Sequence, residues 1–291
     1  MTGTKFKPKK EFPFKIDNRL KHKLDILAKT LNKRDVWILV DGDEGTGKTN
    51  TAAYLLYYFH CVTGRDFSLD RFYFDSDEMF NWVKDHSHGL INWDEAALGG
   101  LSSEWYNKAQ INLLKFAMTG RKKHHIFVLC IPRFNKLKED LRKDRIHAMI
   151  HMDVGKKGND YGHFVYLTRR GIKAINRIWE KNKIKPYARC AQKYGGFFCN
   201  TRIPFVFNKL VDEAKYEKKK DKAISEIGSK KGKDKNKQKL EDFQEKINQI
   251  IKENNLDREK IAETLGIHSR TIHKWSKRGA EKKKAPSPSQ N

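Results

Sequence analysis

Acidic residues are scarce in this chain. Against 61 lysines and arginines stand 36 aspartates and glutamates, a formal charge of +25 over 291 residues. A chain this basic gathers polyanions through counterion release, whatever else it does. Long apolar runs are also missing. No stretch approaches the ~20 residues of a membrane-spanning helix. The first residues, "MTGTKFKPKK", lack the apolar core of a signal peptide. Cysteine is rare: Cys61, Cys130, Cys190 and Cys199 form no CxxC pair, and the last two are too far apart for a zinc knuckle. These absences exclude a disulfide scaffold and a membrane-spanning protein. They predict a soluble, cytoplasmic chain with four reduced thiols. No internal repeat is visible.

Lysines crowd residues 215–239, but basic residues also sit inside segments that look folded, such as "TGRKKHH" and "LRKDRIH". The length allows a main domain plus an appendage. We expect a basic arm and helix at 1–34, a main domain at 35–213 and a Lys-rich linker at 214–239. A small module at 240–280 and a disordered tail at 281–291 complete the chain. Leu20, Leu24, Ile26, Leu27 and Leu31 have helical spacing. "DVWILVD", "RFYFD", "GLINWDEAA", "HIFVLCIP" and "RIHAMIHMD" read as strands. Helices alternate with them: "KTNTAAYLLYYFHCVTG", "SDEMFNWVKDH" with Ser76 as N-cap, a long one from Ser102 or Ser103, and a short "KLKEDLRKD". Wholly apolar strands alternating with helices make an α/β fold with a mainly parallel sheet covered on both faces. "YGHFVYLTRR" is expected to form a hairpin with the fifth strand.

Residues 42–49, "GDEGTGKT", fit the phosphate-binding pattern G-x-x-x-x-G-K-[ST] without a mismatch. Glycines permit positive φ and close approach of backbone N–H groups to a phosphate. A strand precedes the loop and a helix follows, so the helix N-terminus faces the anion. Gly42, Gly45, Thr46, Gly47, Lys48, Thr49 and Asn50 are the expected ATP-binding residues, with Lys48 on the β and γ phosphates and Thr49 on Mg²⁺. Asp43 and Glu44 are anomalous beside phosphates and must point away, toward a basic group of a neighbouring subunit.

"LINWDEA" supplies carboxylates at the end of an apolar strand. Asp94 is expected to hold Mg²⁺ and Glu95 to orient or deprotonate the attacking water. The alternative is an acidic pair capping the next helix. A cation from a neighbouring subunit often completes such sites. Arg121 is the first candidate, followed by Arg142 and Arg145; their alternative use is a basic surface for DNA.

The stretch "TGRKKHHIFVLCIPRFNKLKEDLRKDRIHAMI" resembles the FtsK/HerA superfamily of DNA-translocating ATPases. There, "GR" precedes an apolar strand that ends in a polar sensor and Pro, and an Arg-Ile pair opens the next strand. Here these fall on Gly120-Arg121, Pro132-Arg133 and Arg145-Ile146. The compact spacing from Lys48 to Asp94 looks like zonular-occludens-toxin-like proteins and viral genome-packaging ATPases. The likeness runs over residues 35–170. It implies a RecA-like P-loop NTPase domain working in a homo-oligomeric ring, a hexamer or pentamer. Two features depart from it. Where the family carries Gln at the end of the fourth strand, "CIPRFN" offers Arg133 or Asn135. The membrane span usual in the toxin-like proteins is missing.

"DREKIAETLGIHSRTIHKW" has helix-turn-helix spacing, with Ala262 at the helix crossing and Gly266 at the turn. Ile261, Leu265, Ile267, Ile272 and Trp275 supply apolar contacts. The second helix, 269–277, would present Ser269, Arg270, His273 and Lys274 to a major groove, with Lys277 and Arg278 on phosphates. The alternative is a small helical module that never touches DNA. Together these features predict an ATP-hydrolysing motor for double-stranded DNA, serving viral or plasmid genome packaging with capsid or replication proteins as partners. If the chain is viral, its cytoplasm is the host's. The competing expectation is an ATP-switched DNA-binding regulator or partition factor. Residues 171–210 mix aromatic and basic side chains and fit either a DNA-contacting insertion or packing.

Overall fold

The computed structural model describes residues 9–94, 111, 113–114, 120–153 and 161–228. Within 246–263 it describes positions 246, 247, 249, 251, 257, 259, 261 and 263. The chain divides into two compact units, Met1–Ile224 and Ser225–Asn291. The first is an α/β unit built on a mostly parallel, seven-stranded mixed sheet, compatible with a Rossmann-like fold. The strands are β1 (Val36–Asp41), β2 (Phe72–Tyr73), β3 (Leu90–Asp94), β4 (Ile126–Ile131), β5 (Ala148–Asp153), β6 (His163–Thr168) and β7 (Phe197–Phe198), in the spatial order β2-β3-β4-β1-β5-β6-β7. The first five are parallel to one another, and β5–β6 is the expected antiparallel hairpin pair.

Both faces are covered, which explains why the central strands are apolar at most positions. Alternation sorts them: Val36, Ile38 and Val40 of β1 face one core, Trp37 and Leu39 the other. The first core is closed by α1 (Asn18–Thr30) and α2 (Lys48–Thr63). The second is closed by α3 (Ser76–Asp85), α4 (Arg169–Asn182) and α5 (Tyr187–Lys193). Two further helices follow β7: the one-turn α6 (Phe207–Leu210) and the 16-residue α7 (Glu213–Gly228).

Several expectations shift. Helix α2 is buried almost all round, so something must cover its outer face. Residues 12–16, read above as an arm, do so. Phe12 packs edge-on against Tyr54 and Tyr58 at 5.0 and 5.1 Å, and the Tyr54 hydroxyl donates to the Lys15 carbonyl at 2.8 Å. The arm and α1 are therefore integral to the main unit. At the other end, residues 214–228 are helical, with Tyr216 in the core, so the linker does not begin at 214. Ile26 lies on the outer face of α1, 47% exposed. Asp75, one residue earlier than Ser76, caps α3. "KLKEDLRKD" forms a π-type turn, Leu141–Arg145, in place of an α-helix. Residues 171–210 pack on the sheet through α4, α5 and β7. The long helix expected from 102 lies almost wholly outside the described residues, as does most of the 240–280 module. There, Asp257 accepts from Glu259 N at 2.9 Å and its carbonyl from Ile261 N at 3.2 Å, a helix start where the sequence places one.

Asp17 ties the ends of the main unit together. It is 3% exposed, caps α1 through Arg19 N and Leu20 N, and accepts from Asn200 N and Thr201 N at 2.7 and 3.2 Å. Burial alone would raise its carboxyl pKa, but the four backbone donors outweigh it and hold the carboxyl below its ordinary value of 3.8. Asp17→Ala is expected to lose about 3 kcal/mol, from the missing cap and two orphaned N–H groups, as read by urea denaturation at pH 7. A depressed carboxyl stabilises above its unfolded pKa. The gap between wild type and variant is therefore expected to narrow as pH falls below 3.8.

Candidate functional site

The glycine loop hangs from the C-terminal end of β1, at the centre of the sheet. Gly42, Gly45 and Gly47 have φ of 148°, 76° and 87°, backbone that side-chain-bearing residues avoid. Gly47 is also the N-cap of α2, which therefore aims its N-terminus at the loop. Inside the loop, Lys48 Nζ donates to the carbonyls of Gly42 and Asp43 at 2.8 and 2.6 Å. The Thr46 hydroxyl donates to Asp43 O at 2.8 Å, drawing the turn closed.

Thr49 and Asp94 come together as expected, although β4 separates β1 from β3. Thr49 Oγ1 donates to Asp94 Oδ2 at 2.7 Å. A hydroxyl and a carboxylate are hard oxygen donors, the kind magnesium takes, so this pair fits a magnesium site beside the loop. Asn50 has a different role from the one its position suggests. Its Nδ2 donates to Pro204 O, and its Oδ1 accepts from Val206 N and Phe207 N at 2.8 and 3.0 Å. It clamps the segment after β7 onto the head of α2.

Two cavities flank the loop. One, of about 440 Å³, lies between Lys48, Thr49 and Asp94 on one wall and α7 on the other. The second, of about 460 Å³, is lined by Gly45, Gly47, Met152, Tyr161, Pro204 and Phe205, among others. Tyr161 and Phe205 are 57% and 65% exposed at its rim, apolar surface on which a planar ring can stack.

The structure adds a hub that the sequence reading missed. Asp41, fully buried, ends β1 just before the loop. Its Oδ2 accepts from Phe134 N at 3.2 Å and the Tyr187 hydroxyl at 2.8 Å, and its Oδ1 from His151 Nδ1 at 3.1 Å. Tyr187 stacks on His151 with ring centroids 3.6 Å apart. Burial first, then the Asp41 charge, raises the Tyr187 phenol, so it stays a neutral donor. Its signal in the sequence was an acid closing an otherwise apolar strand. Lys185 also feels Asp41 and Asp43, so Asp43 has a cation of its own chain nearby, alongside the neighbouring-subunit partner expected for it.

Other expected residues lie elsewhere. Arg145 precedes β5 and Gly120-Arg121 precede β4, on the sheet edge opposite the loop, a strand length of about 20 Å away. Burial foremost, then the charges of Arg34, Arg169 and Arg145, lowers the His147 pKa to about 4. Arg142 is buried, donating to Asn135 O at 3.1 Å and lying over the Phe134 ring. Arg133 is exposed after β4. Glu95, the Arg121 side chain, and Ser269, Arg270, His273, Lys274, Lys277 and Arg278 lie outside the described residues. All four cysteines are free thiols. No helix among the described residues is long and apolar enough to cross a membrane.

No family model and no curated protein matches the chain. Solved chains do match. One belongs to the E. coli MS115-1 HORMA:CdnC:Trip13 complex: 13% identity over 56% of this chain and 68% of that one, with a TM-score of 0.33. A likeness this distant carries no argument about fold or function.

The loop glycines separate by their surroundings. A Cβ on Gly42 would lie 2.7 Å from the Met152 carbonyl, whereas one on Gly45 meets nothing within 4 Å. Gly45→Ala is therefore expected to lose about 1 kcal/mol, from positive-φ strain alone. Gly42→Ala should lose more than about 2 kcal/mol, since strain and a backbone clash combine. Parallel thermal melts of the two variants check the order.

Proposed function

We propose that the chain is an ATP-hydrolysing DNA motor: a RecA-like P-loop ATPase of FtsK/HerA type carrying a C-terminal helix-turn-helix that recruits double-stranded DNA. The observation that carries the catalytic half is the Thr49–Asp94 contact of 2.7 Å at the head of a helix aimed into the glycine loop. Loop N–H groups and the Lys48 ammonium bind the β and γ phosphates. Lys48 leaves the Gly42 and Asp43 carbonyls to do so. Thr49 and Asp94 would hold magnesium, which supplies positive charge against the phosphates. Glu95, the next residue along from Asp94, takes the proton of the attacking water. The base and ribose lie in the second cavity, with Tyr161 and Phe205 stacking on the base. Arg121 and Arg145, on the far edge of the sheet, serve a neighbouring subunit's site in a ring; within one chain they are too far from the loop.

The DNA half rests on sequence: the +25 charge and the spacing of the residues after Asp257. A viral or plasmid genome is the cargo this combination fits best. Lys48→Ala is expected to abolish binding of a fluorescent ATP analogue. Glu95→Gln should keep binding and lose turnover by about 10²-fold or more; wild-type turnover in Glu95→Gln would sink the assignment.

The motor is tested by ATPase rate with and without long double-stranded DNA. Stimulation is expected, and a flat rate points instead to an ATP-switched regulator. Deleting the chain from residue 240 onward should remove sequence-selective DNA binding and leave basal ATPase, as read by mobility shift and phosphate release.

A further inference from the structure

Helix α7 reaches the metal side of the loop. The Tyr216 hydroxyl donates to Asp94 Oδ2 at 2.9 Å, the same oxygen that accepts from Thr49. The Tyr216 ring is buried, 4.9 Å from Phe207 and 5.3 Å from Phe74 between centroids. Glu213 and Lys220, three residues before and four after, share the helix face of Tyr216, and Glu217 lies next to that face. All line the cavity whose opposite wall is Lys48, Thr49 and Asp94. Lys220 is engaged by Glu217 at 3.5 Å. Lys219 is half-buried, bonded to Asp70 O at 2.8 Å and lying 5.0 Å over the Tyr73 ring. These contacts fasten α7 beside the first compact unit's sheet edge.

The chemistry of this wall opposes that of the loop. The loop and Lys48 attract phosphates, whereas Glu213 and Glu217 repel them. Thr49 and Asp94 offer oxygens to a cation, whereas the Tyr216 phenol occupies one of those oxygens. The wall facing Lys48 thus carries two carboxylates and one ammonium, Lys220, which is paired with Glu217. The helix also runs on to Gly228, past the end of the first unit at Ile224. A load on the residues beyond 224 therefore acts on α7 through the chain itself.

We propose that α7 is an autoinhibitory helix: docked through Tyr216 on Asp94, it holds the site in a form of low affinity for magnesium nucleotide, and its release opens the site. The inference rests on the nucleotide reading of the loop. Its test is titration of a fluorescent ATP analogue, at graded MgCl₂, into the full-length wild-type chain, Tyr216→Phe and the Glu213→Gln/Glu217→Gln double variant. Phenylalanine keeps the ring packing and removes only the hydroxyl; the two glutamates are exposed, so the fold is retained.

Both variants are expected to bind about tenfold more tightly. Tyr216→Phe should also need less free Mg²⁺ for half-saturation while matching wild type in its absence, a change that a purely structural tyrosine would not produce. Equal or weaker binding by the variants, with binding by wild type, overturns the autoinhibition and leaves the nucleotide site standing. No binding by any of the three proteins overturns the nucleotide site and the autoinhibition together.

Discussion

Strand β1 is hydrogen-bonded on both edges, to β4 along its whole length and to β5 over its last four residues. A strand held this way cannot slide or tilt, and the glycine loop inherits that rigidity. Its consequence is sharpest at Asp94, which must reach the loop's helix across an intervening strand. Strands lie about 4.8 Å apart, so β3 is about two spacings from β1. The gap closes because α2 leans over the end of β4. What lies there is Cys130, fully buried, with Sγ 3.6 Å from both Lys48 O and Asn92 Oδ1. A larger side chain at that position would lift the head of α2 and part Thr49 from Asp94. Burial, foremost, raises the Cys130 thiol pKa, so the group stays a neutral thiol packed between α2 and β3.

The same logic explains Asp41. A carboxylate buried in a sheet needs its oxygens satisfied, and here the partners come from three directions: Phe134 N after β4, His151 at β5 and Tyr187 on α5. The charge thus fixes the ends of three parallel strands relative to one another just below the loop. Arg133, the candidate sensor, directly precedes one of those partners and is placed by it. The hub connects the second core, which holds Phe134, to the loop that the first core supports.

Much of this was legible in the sequence, for a physical reason. Strands buried on both faces must be apolar throughout, so β1, β3, β4 and β5 announce themselves, and the glycine loop has few alternatives to its spacing. Asp94 followed from its place at a strand end. What stayed hidden depended on distant contacts. Tyr216 sits in a lysine-rich stretch whose composition resembles a linker, and nothing local says that one phenol enters the core. Asn50 follows the phosphate-binding motif but spends its amide on Pro204, Val206 and Phe207. Ser76 and Asp75 are both good caps; the geometry at Asp75, which accepts from Asp77 N and Glu78 N, decided between neighbours. At 141–145 the chain takes a π-type turn in place of the expected helix, with Leu141 and Arg142 buried.

Residues 35–170 do not close on themselves. The outer face of α2 is covered by Phe12 and Phe14 from before it. Its first turn is clamped by residues 204–207 from after it, and Asp17 bonds the two flanks to each other. A helix with no polar face loses its reason to stay folded once either cover is removed. The loop at its head depends on that helix for Lys48, Thr49 and the N-terminal dipole. The loop, the first turn of α2 and Asp94 come together in one place, but that geometry is enforced by both flanks of the domain. Residues 204–207 are thus tied to the head of the loop's helix through Asn50.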